Sequence, residues 1–409
     1  MKKLLVGTAA VALGFALPTA AKAADGVKLG LGGYFMGYVS WVDQDEEVDI
    51  DADGQNEDVR SFDILRETEV HFSGETTLDN GLTVGMHIEA EADGFSGGAG
   101  DTFEIEESYA YFSGAWGRVN FGSEDGAAFL LQVAAPSADA NIDGLRQQVQ
   151  PVNFGATMLG AAGAAANAVA IAGGANALNV INFRFDYDNN PARSDNKITY
   201  MTPVFNGFQA GVSYTPDVGS GRNDWTPGNA FNDQLDDYGS EYEAAARYEG
   251  QLGEVGLTLG AGYTHVDLED EDPALGMLGL LDDNTRWNAG VNVKWTAFNL
   301  GAAYLNNDHG VDMDGDETVW VVGADYTTGP FKIGGSYYNN SQDLDAMFGA
   351  NSGELDVDRW MGGVTYTYGP GMTFRGSIGF IDAEVPVALL PVNNDTDATF
   401  VMLGTQINF

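Results

Sequence analysis

Apolar side chains fall on every second position over much of this chain. In the closing stretch ATFVMLGTQINF, Val401, Leu403, Thr405, Ile407 and Phe409 share one face, while Met402, Gly404, Gln406 and Asn408 share the other. A strand turns successive side chains to opposite faces, so this alternation predicts a β-strand with one apolar side. Near the start, Val27, Leu29, Leu31, Phe35, Val39 and Trp41 line one face of VKLGLGGYFMGYVSW. In RWNAGVNVKW the split is cleaner, with Trp287, Ala289, Val291, Val293 and Trp295 opposite Arg286, Asn288, Gly290, Asn292 and Lys294. Its two tryptophans stand about 27 Å apart on an extended strand. YEAAARY repeats the device with Tyr242 and Tyr248.

The connections between these segments alternate short and long. Short ones centre on Asp79, Trp116, Asn206, Gly253, Ala297, Gly329 and Pro370, where Gly, Pro and Asn supply turn dihedrals. Long ones run over 43–59, around Ser96, over 124–194, 216–239, 267–284, 307–316, 342–356 and 385–395. This spacing predicts about sixteen strands, an even number with both ends on the short-turn side. A soluble sandwich also shows period two. Bracketing aromatics and glycine-rich polar faces favour a closed transmembrane barrel, the one strand architecture that pairs every backbone group in lipid. Trp41, Tyr242, Tyr248, Trp287, Trp295 and Phe409 are the candidate aromatic girdle.

The N-terminal segment adds a compartment. Lys2 and Lys3 precede an apolar run to Leu17 and an Ala21-Lys22-Ala23 end, the order of a cleaved secretory leader over residues 1–23. The barrel domain then covers 24–409. The run is too short to span a bilayer as a helix. The Ala-rich stretch 156–181 is a poor membrane helix, since Ala and Gly bring little hydrophobicity.

Charge narrows the partners. The chain holds 18 basic and 60 acidic residues for a net charge of −42, and loses Lys2, Lys3 and Lys22 with the leader. No nucleic-acid partner is expected, because phosphate binding needs a basic patch. There is no cysteine, hence no disulfide framework. No G-x-S-x-G, H-E-x-x-H or P-loop motif occurs, so no enzyme is expected.

By parity, Asp63, Glu67, Glu69 and His71 share the polar face of one strand, His87, Glu89 and Glu91 that of the next, and Glu104 and Glu106 that of a third. Charges facing water cost little, whereas basic residues facing lipid near the midplane cost about 2–4 kcal/mol and acids less. An inward direction is therefore expected for all of them, and for Lys28, Arg118, Lys197, Arg247, Arg286, Lys294, Lys332, Arg359 and Arg375. Tyr34 and Tyr38 are inward too. Arg66 and Glu107 break parity, which a β-bulge or a buried polar contact between subunits would explain.

The leader, GVKLGLGGYFMGYVSW, ESYAYFSGAWGRVNFGSEDGA, DNKITYMTPVFNGFQAGVSY and the terminal INF together resemble the general porins of Gram-negative outer membranes, of alphaproteobacterial type. The resemblance spans the chain at the level of strand order. It implies a homotrimer of sixteen-stranded barrels and passive diffusion of small hydrophilic solutes. It also implies a C-terminal aromatic, Phe409, read by the barrel-assembly machinery, and a third long loop folded into each lumen. That loop, 124–194, carries Glu124, Asp125, Asp139, Asp143 and Arg146 as constriction candidates. Many members set an arginine cluster against loop acids. The acids of the second to fourth strands depart from that pattern and predict a cation-leaning pore. Alternatives are a substrate-specific channel, or a structural or adhesive barrel with a plugged lumen.

No cofactor is required. Asp49, Asp51 and Asp53 match the opening of a calcium loop, but the twelfth position is Arg60 and no helices flank it. Calcium bound in the acidic extracellular loops is one expectation; the other is solvated acids that bridge to lipopolysaccharide through divalent cations, beside the outer-membrane lipids.

Overall fold

The computed structural model describes residues 26–45, 59–92, 104–154, 185–219, 238–269, 282–310, 316–343, 353–384 and 395–409. Sixteen strands carry the fold. The first eight are β1 (Lys28–Gln44), β2 (Phe62–Thr77), β3 (Thr83–Glu91), β4 (Glu104–Gly114), β5 (Gly117–Ser123), β6 (Asn196–Met201), β7 (Phe208–Thr215) and β8 (Tyr238–Leu252). They continue as β9 (Val255–Leu268), β10 (Asn284–Trp295), β11 (Phe298–Asn307), β12 (Glu317–Thr328), β13 (Phe331–Asp343), β14 (Glu354–Gly369), β15 (Met372–Glu384) and β16 (Asp395–Asn408). One four-residue helix, α1 (Ala127–Leu130), follows β5.

Each strand pairs antiparallel with its sequence neighbours, and β16 pairs with β1 to close the ring. Closure is completed beyond the last strand, where Phe409 and Gly33 exchange two backbone hydrogen bonds of 3.1 and 3.2 Å. The fold is therefore an all-β, antiparallel up-and-down barrel without an open edge, which satisfies the backbone inside a bilayer. Among the described residues no helix is long and apolar enough to cross a membrane.

The outward face is greasy. Leu29, Leu31, Ile64, Phe121, Leu300, Ile333, Ile378 and Leu403 all stand exposed on it. A monomeric soluble protein rarely leaves so continuous an apolar belt uncovered. Aromatic pairs edge the belt. Trp287 packs on Tyr304 at 4.7 Å, Phe298 on Tyr326 at 4.7 Å and Tyr337 on Trp360 at 4.3 Å. Trp287 and Trp295 are 43% and 54% exposed, both outward.

The inside is asymmetric. Residues 124–154 and 185–195 enter the barrel and pack against its wall from β5 round to β1. Ile142, Leu145, Val149, Phe185 and Tyr187 form an apolar cluster with Met36, Tyr38, Leu305, Val319, Val321, Tyr338, Val357, Phe400 and Met402. These wall residues come from β1, β11, β12, β13, β14 and β16. The loop sits directly on bare backbone. A Cβ at Gly260 would come within 2.7 Å of Val133, one at Gly290 would run into the Val133 carbonyl oxygen, and one at Gly323 into the Pro136 carbonyl oxygen.

Candidate pore wall and constriction

The part of the wall that the loop leaves uncovered is built from β2, β3 and β4. Strand register sets its side chains: Tyr34 lies opposite Glu69, Met36 opposite Glu67 and Ser40 opposite Asp63. Since Met36, Tyr38 and Ser40 face in, so do these acids. On the next pair, Glu69 lies opposite Glu91 and His71 opposite Glu89, which brings β3 to the same face. Between β3 and β4 the register slips, Glu89 facing Glu107 while Ala90 faces Ile105. That bulge leaves Glu106 unpaired and turns both Glu106 and Glu107 inward, which accounts for the parity break at Glu107. Arg66 has no such slip beside it. It pairs with Gly37 in regular register and stands exposed on the outward face.

Elsewhere on the wall, loop acids hold the arginines of the covered strands. Arg375 on β15 pairs with Asp139, which also accepts a 2.9 Å hydrogen bond from the Tyr38 hydroxyl. Arg359 on β14 donates to Asp143 at 2.7 Å, and the Ser336 hydroxyl reaches the same carboxylate. Arg359 and Arg375 are 1% and 6% exposed. Buried pairs of this kind gain little over an apolar substitute, but loss of one partner strands a charge.

A third knot closes the loop on itself. Arg146 binds Asp125 through both terminal nitrogens at 2.9 and 3.1 Å and Asp188 at 2.7 Å, with its guanidinium 4.0 Å from the Phe129 ring. Asn190 donates to Asp125 at 2.7 Å. Burial pulls the Arg146 pKa down, but the Asp125 and Asp188 carboxylates outweigh it and the net shift is upward. Glu124 begins the loop between Asn120, which donates to it at 2.5 and 2.6 Å, and Lys197, whose ammonium donates to its backbone carbonyl at 2.6 Å. Burial pushes the Glu124 carboxyl up to about 7, against the pull of Asn120 and Arg118.

A closed barrel of sixteen strands, greasy outside and polar within, with a long loop seated inside, is a pore-forming architecture. Residues 7–385 match the model of the family described as Gram-negative porin. The chain is a Gram-negative porin. The search of curated proteins finds no match. Among solved structures, the fold is similar to an anion-selective porin from Comamonas acidovorans, at 18% identity and TM-score 0.58, covering 94% of this chain and all of that one. It is also similar to a porin of unstated source, at 16% identity and TM-score 0.54, covering 93% of this chain and all of that one. A third is OmpT with loop L8 deleted, from the outer membrane of Vibrio cholerae, at 13% identity and TM-score 0.54, with 94% and 100% coverage. At these identities the structures speak for the fold. The family places the porin in the outer membrane, as a non-enzymatic channel.

The porin's remaining candidates fall as follows. Lys28, Asp63, Glu104 and Lys294 are inward and exposed, Lys294 in a recess shared with Glu249, Gln251 and Asn299. Glu67, His71, His87, Glu89, Glu91 and Glu106 are inward and half-buried, while Glu69 is buried. Arg247 is inward, binding Glu249 and donating to the Gln132 carbonyl at 3.0 Å. Arg286 is inward beside Asn284 at 3.1 Å. Arg118 and Lys197 point inward but are buried, Arg118 stacked 4.0 Å over the Tyr111 ring. Trp41, Tyr242 and Tyr248 face outward, packed on Phe62, Tyr214 and Phe208. Residues 1–23, the Ala-rich stretch 156–181 and the calcium candidates Asp49, Asp51 and Asp53 lie outside the described residues.

Sequence reasoning passed over the return limb of the loop. Asn189 donates to Asn288 at 3.1 Å and to Gln132 through its backbone, and the Tyr187 hydroxyl accepts from the Ala135 amide. Its polar run FDYDNN, directly after the Ala-rich stretch, was the available signal.

Proposed function

We propose that this porin is a passive diffusion channel for small hydrophilic solutes with a preference for cations. One observation carries the reading. The inward acids of β2, β3 and β4 remain on the uncovered part of the wall, while Arg359 and Arg375 are buried in ion pairs with Asp143 and Asp139. Lys28 and Lys294 are also inward and exposed, but the strands left uncovered present chiefly carboxylate to a passing ion. Water-accessible charges of one sign raise the local concentration of the opposite ion. A similar fold carries an anion-selective porin, so selectivity follows from this chain's side chains and not from its architecture.

The same reading makes the functional unit a homotrimer. The outward faces of β1 to β4 carry Leu29, Leu31, Phe35, Ile64, Phe72 and Met86 with Arg66, whereas β10 to β14 carry the Trp and Tyr pairs suited to a lipid boundary. Phe409, outward and exposed at the β1–β16 seam, is the element offered to the assembly machinery. Outer-membrane lipid and lipopolysaccharide, bridged by divalent cations, complete the partner set.

Single-channel recording in asymmetric KCl tests this. Current steps grouped in threes, with a reversal potential on the potassium side, are expected. Anion preference would overturn the selectivity reading, and absence of steps would favour a plugged barrel.

A further inference from the structure

Two imidazoles stand in the middle of the acidic wall with no role in either the loop anchoring or the girdle. His71 on β2 and His87 on β3 project inward at diagonal positions, and their rings meet edge to face at 5.4 Å. Both Nε2 atoms turn to one carboxylate. His71 Nε2 lies 3.6 Å from Glu89 Oε1, and His87 Nε2 lies 3.3 Å from Glu89 Oε2. Glu69 adds a further oxygen 3.0 Å from His71 Nε2. One ligand atom from each of His71, His87 and Glu89 falls within a 4.8 Å span.

We propose that His71, His87 and Glu89, with Glu69 available as a fourth donor, bind a divalent transition-metal ion of the zinc class on the lumen wall. Metal–nitrogen and metal–oxygen bonds of 2.0–2.2 Å in a tetrahedron set donor atoms about 3.4 Å apart, close to the spacings already present. Two neutral imidazoles with carboxylate select zinc or copper over magnesium and calcium, which take all-oxygen sites. Charge favours a cation here as well. Glu69, Glu89 and Glu106 bring carboxylate oxygens within 4.8 Å of one another, and among the described residues no lysine or arginine forms an ion pair with any of them. A bound dication answers that surplus.

The ligands are well founded for the task. They sit on adjacent paired strands, with His71 directly opposite Glu89 and Ser73 opposite His87, so the backbone ladder fixes their separation. Tyr34 packs edge-on against His71 at 6.1 Å, and Tyr109 lies 5.5 Å from His87, which holds both rings in place. Both imidazoles keep part of their surface open to the lumen. Of the other groupings close enough to hold an ion among the described residues, His265 with Asp267 and Asp283 offers one imidazole on the outward face, and Glu69 with Glu89 and Glu106 offers none.

Binding measured on the intact detergent-solubilised protein needs no ion flow, so it stands or falls apart from the cation-preference reading. Titration calorimetry with ZnCl2 in excess MgCl2 is expected to find one zinc site per chain that magnesium does not displace. Paired His71→Asn and His87→Asn substitutions should weaken it by more than about tenfold, since loss of an outer partner alone costs a metal site ten- to a hundredfold. The same zinc affinity in that variant, or displacement of all zinc by magnesium, would overturn the proposal. Should the double variant fail to fold, CoCl2 added to the unaltered protein decides. Intense visible bands of a low-coordinate nitrogen and oxygen site support it, and the pale spectrum of six oxygen ligands refutes it.

Discussion

Asp143 in the third loop accepts a 2.7 Å hydrogen bond from Arg359 on β14, 216 positions further along the chain. Asp139 makes the equivalent contact with Arg375 on β15. Two acids four residues apart thus clamp the loop to adjacent strands, and the clamp is buried. Replacing Asp143 by Ala leaves a guanidinium in an apolar setting and should cost about 3–5 kcal/mol. The loop should lift locally, and open-channel current should become larger and noisier. Adding Arg359→Met should restore much of the lost stability but not the wild-type current. Single-channel recording with urea unfolding in liposomes checks both.

Loss of charge on the uncovered wall should act on selectivity without touching the fold. Glu91→Gln with Glu104→Gln removes two inward carboxylates, one from β3 and one from β4. A unit charge about 5 Å from a passing ion in water is worth roughly 0.8 kcal/mol, or at most about fourfold per charge before screening. The potassium-to-chloride permeability ratio should fall severalfold in dilute salt and less in concentrated salt, as read from reversal potentials.

Glu124 gives the pore a dependence on pH. Burial favours its neutral form, so its carboxyl titrates near 7 in the folded protein against the usual 4.5. The sign follows directly. Below 4.5 the group is neutral folded and unfolded and contributes nothing. Between 4.5 and 7 the unfolded chain ionises first, and the fold loses stability as pH rises. Above 7 the penalty is constant, and the carboxylate adds a negative charge at the mouth of the loop. Glu124→Gln should therefore stabilise the barrel at pH 8 but not at pH 4, and should remove a step in cation preference centred near pH 7.

On the lipid side, Trp287→Ala deletes the partner of Tyr304. An aromatic pair contributes about 0.5–1.5 kcal/mol beyond area burial, and the lost surface contact adds a similar amount. A stability loss of about 1–3 kcal/mol is expected in urea unfolding from liposomes. Conductance should be unchanged, because residue 287 faces away from the lumen.

The strands were legible because a two-residue period and turn chemistry are local. The alternation around Trp287 and Trp295, and the seven tight turns, recover the ring of sixteen without knowledge of any long-range contact. The inner surface was legible only in direction. Arg359, Arg375 and Tyr38 have inward parity on their strands, yet parity is silent on whether a side chain meets water or a loop. That depends on Asp139 and Asp143, which are distant in sequence and have no periodicity to announce them. Glu107 shows the converse limit. A single extra residue at Glu106 reverses the parity of the strand segment that follows, and no residue type marks the slip.

The bare positions beneath the loop carry a consequence for variation in this molecule. Gly260, Gly290 and Gly323 sit on three different strands, and each is occupied from inside by Val133 or Pro136. A single added methyl at any of them would prise the inlay from its setting. Wall and insert can therefore change only in concert, and transplanting the segment into a cylinder with larger side chains at those three places would leave it without a seat.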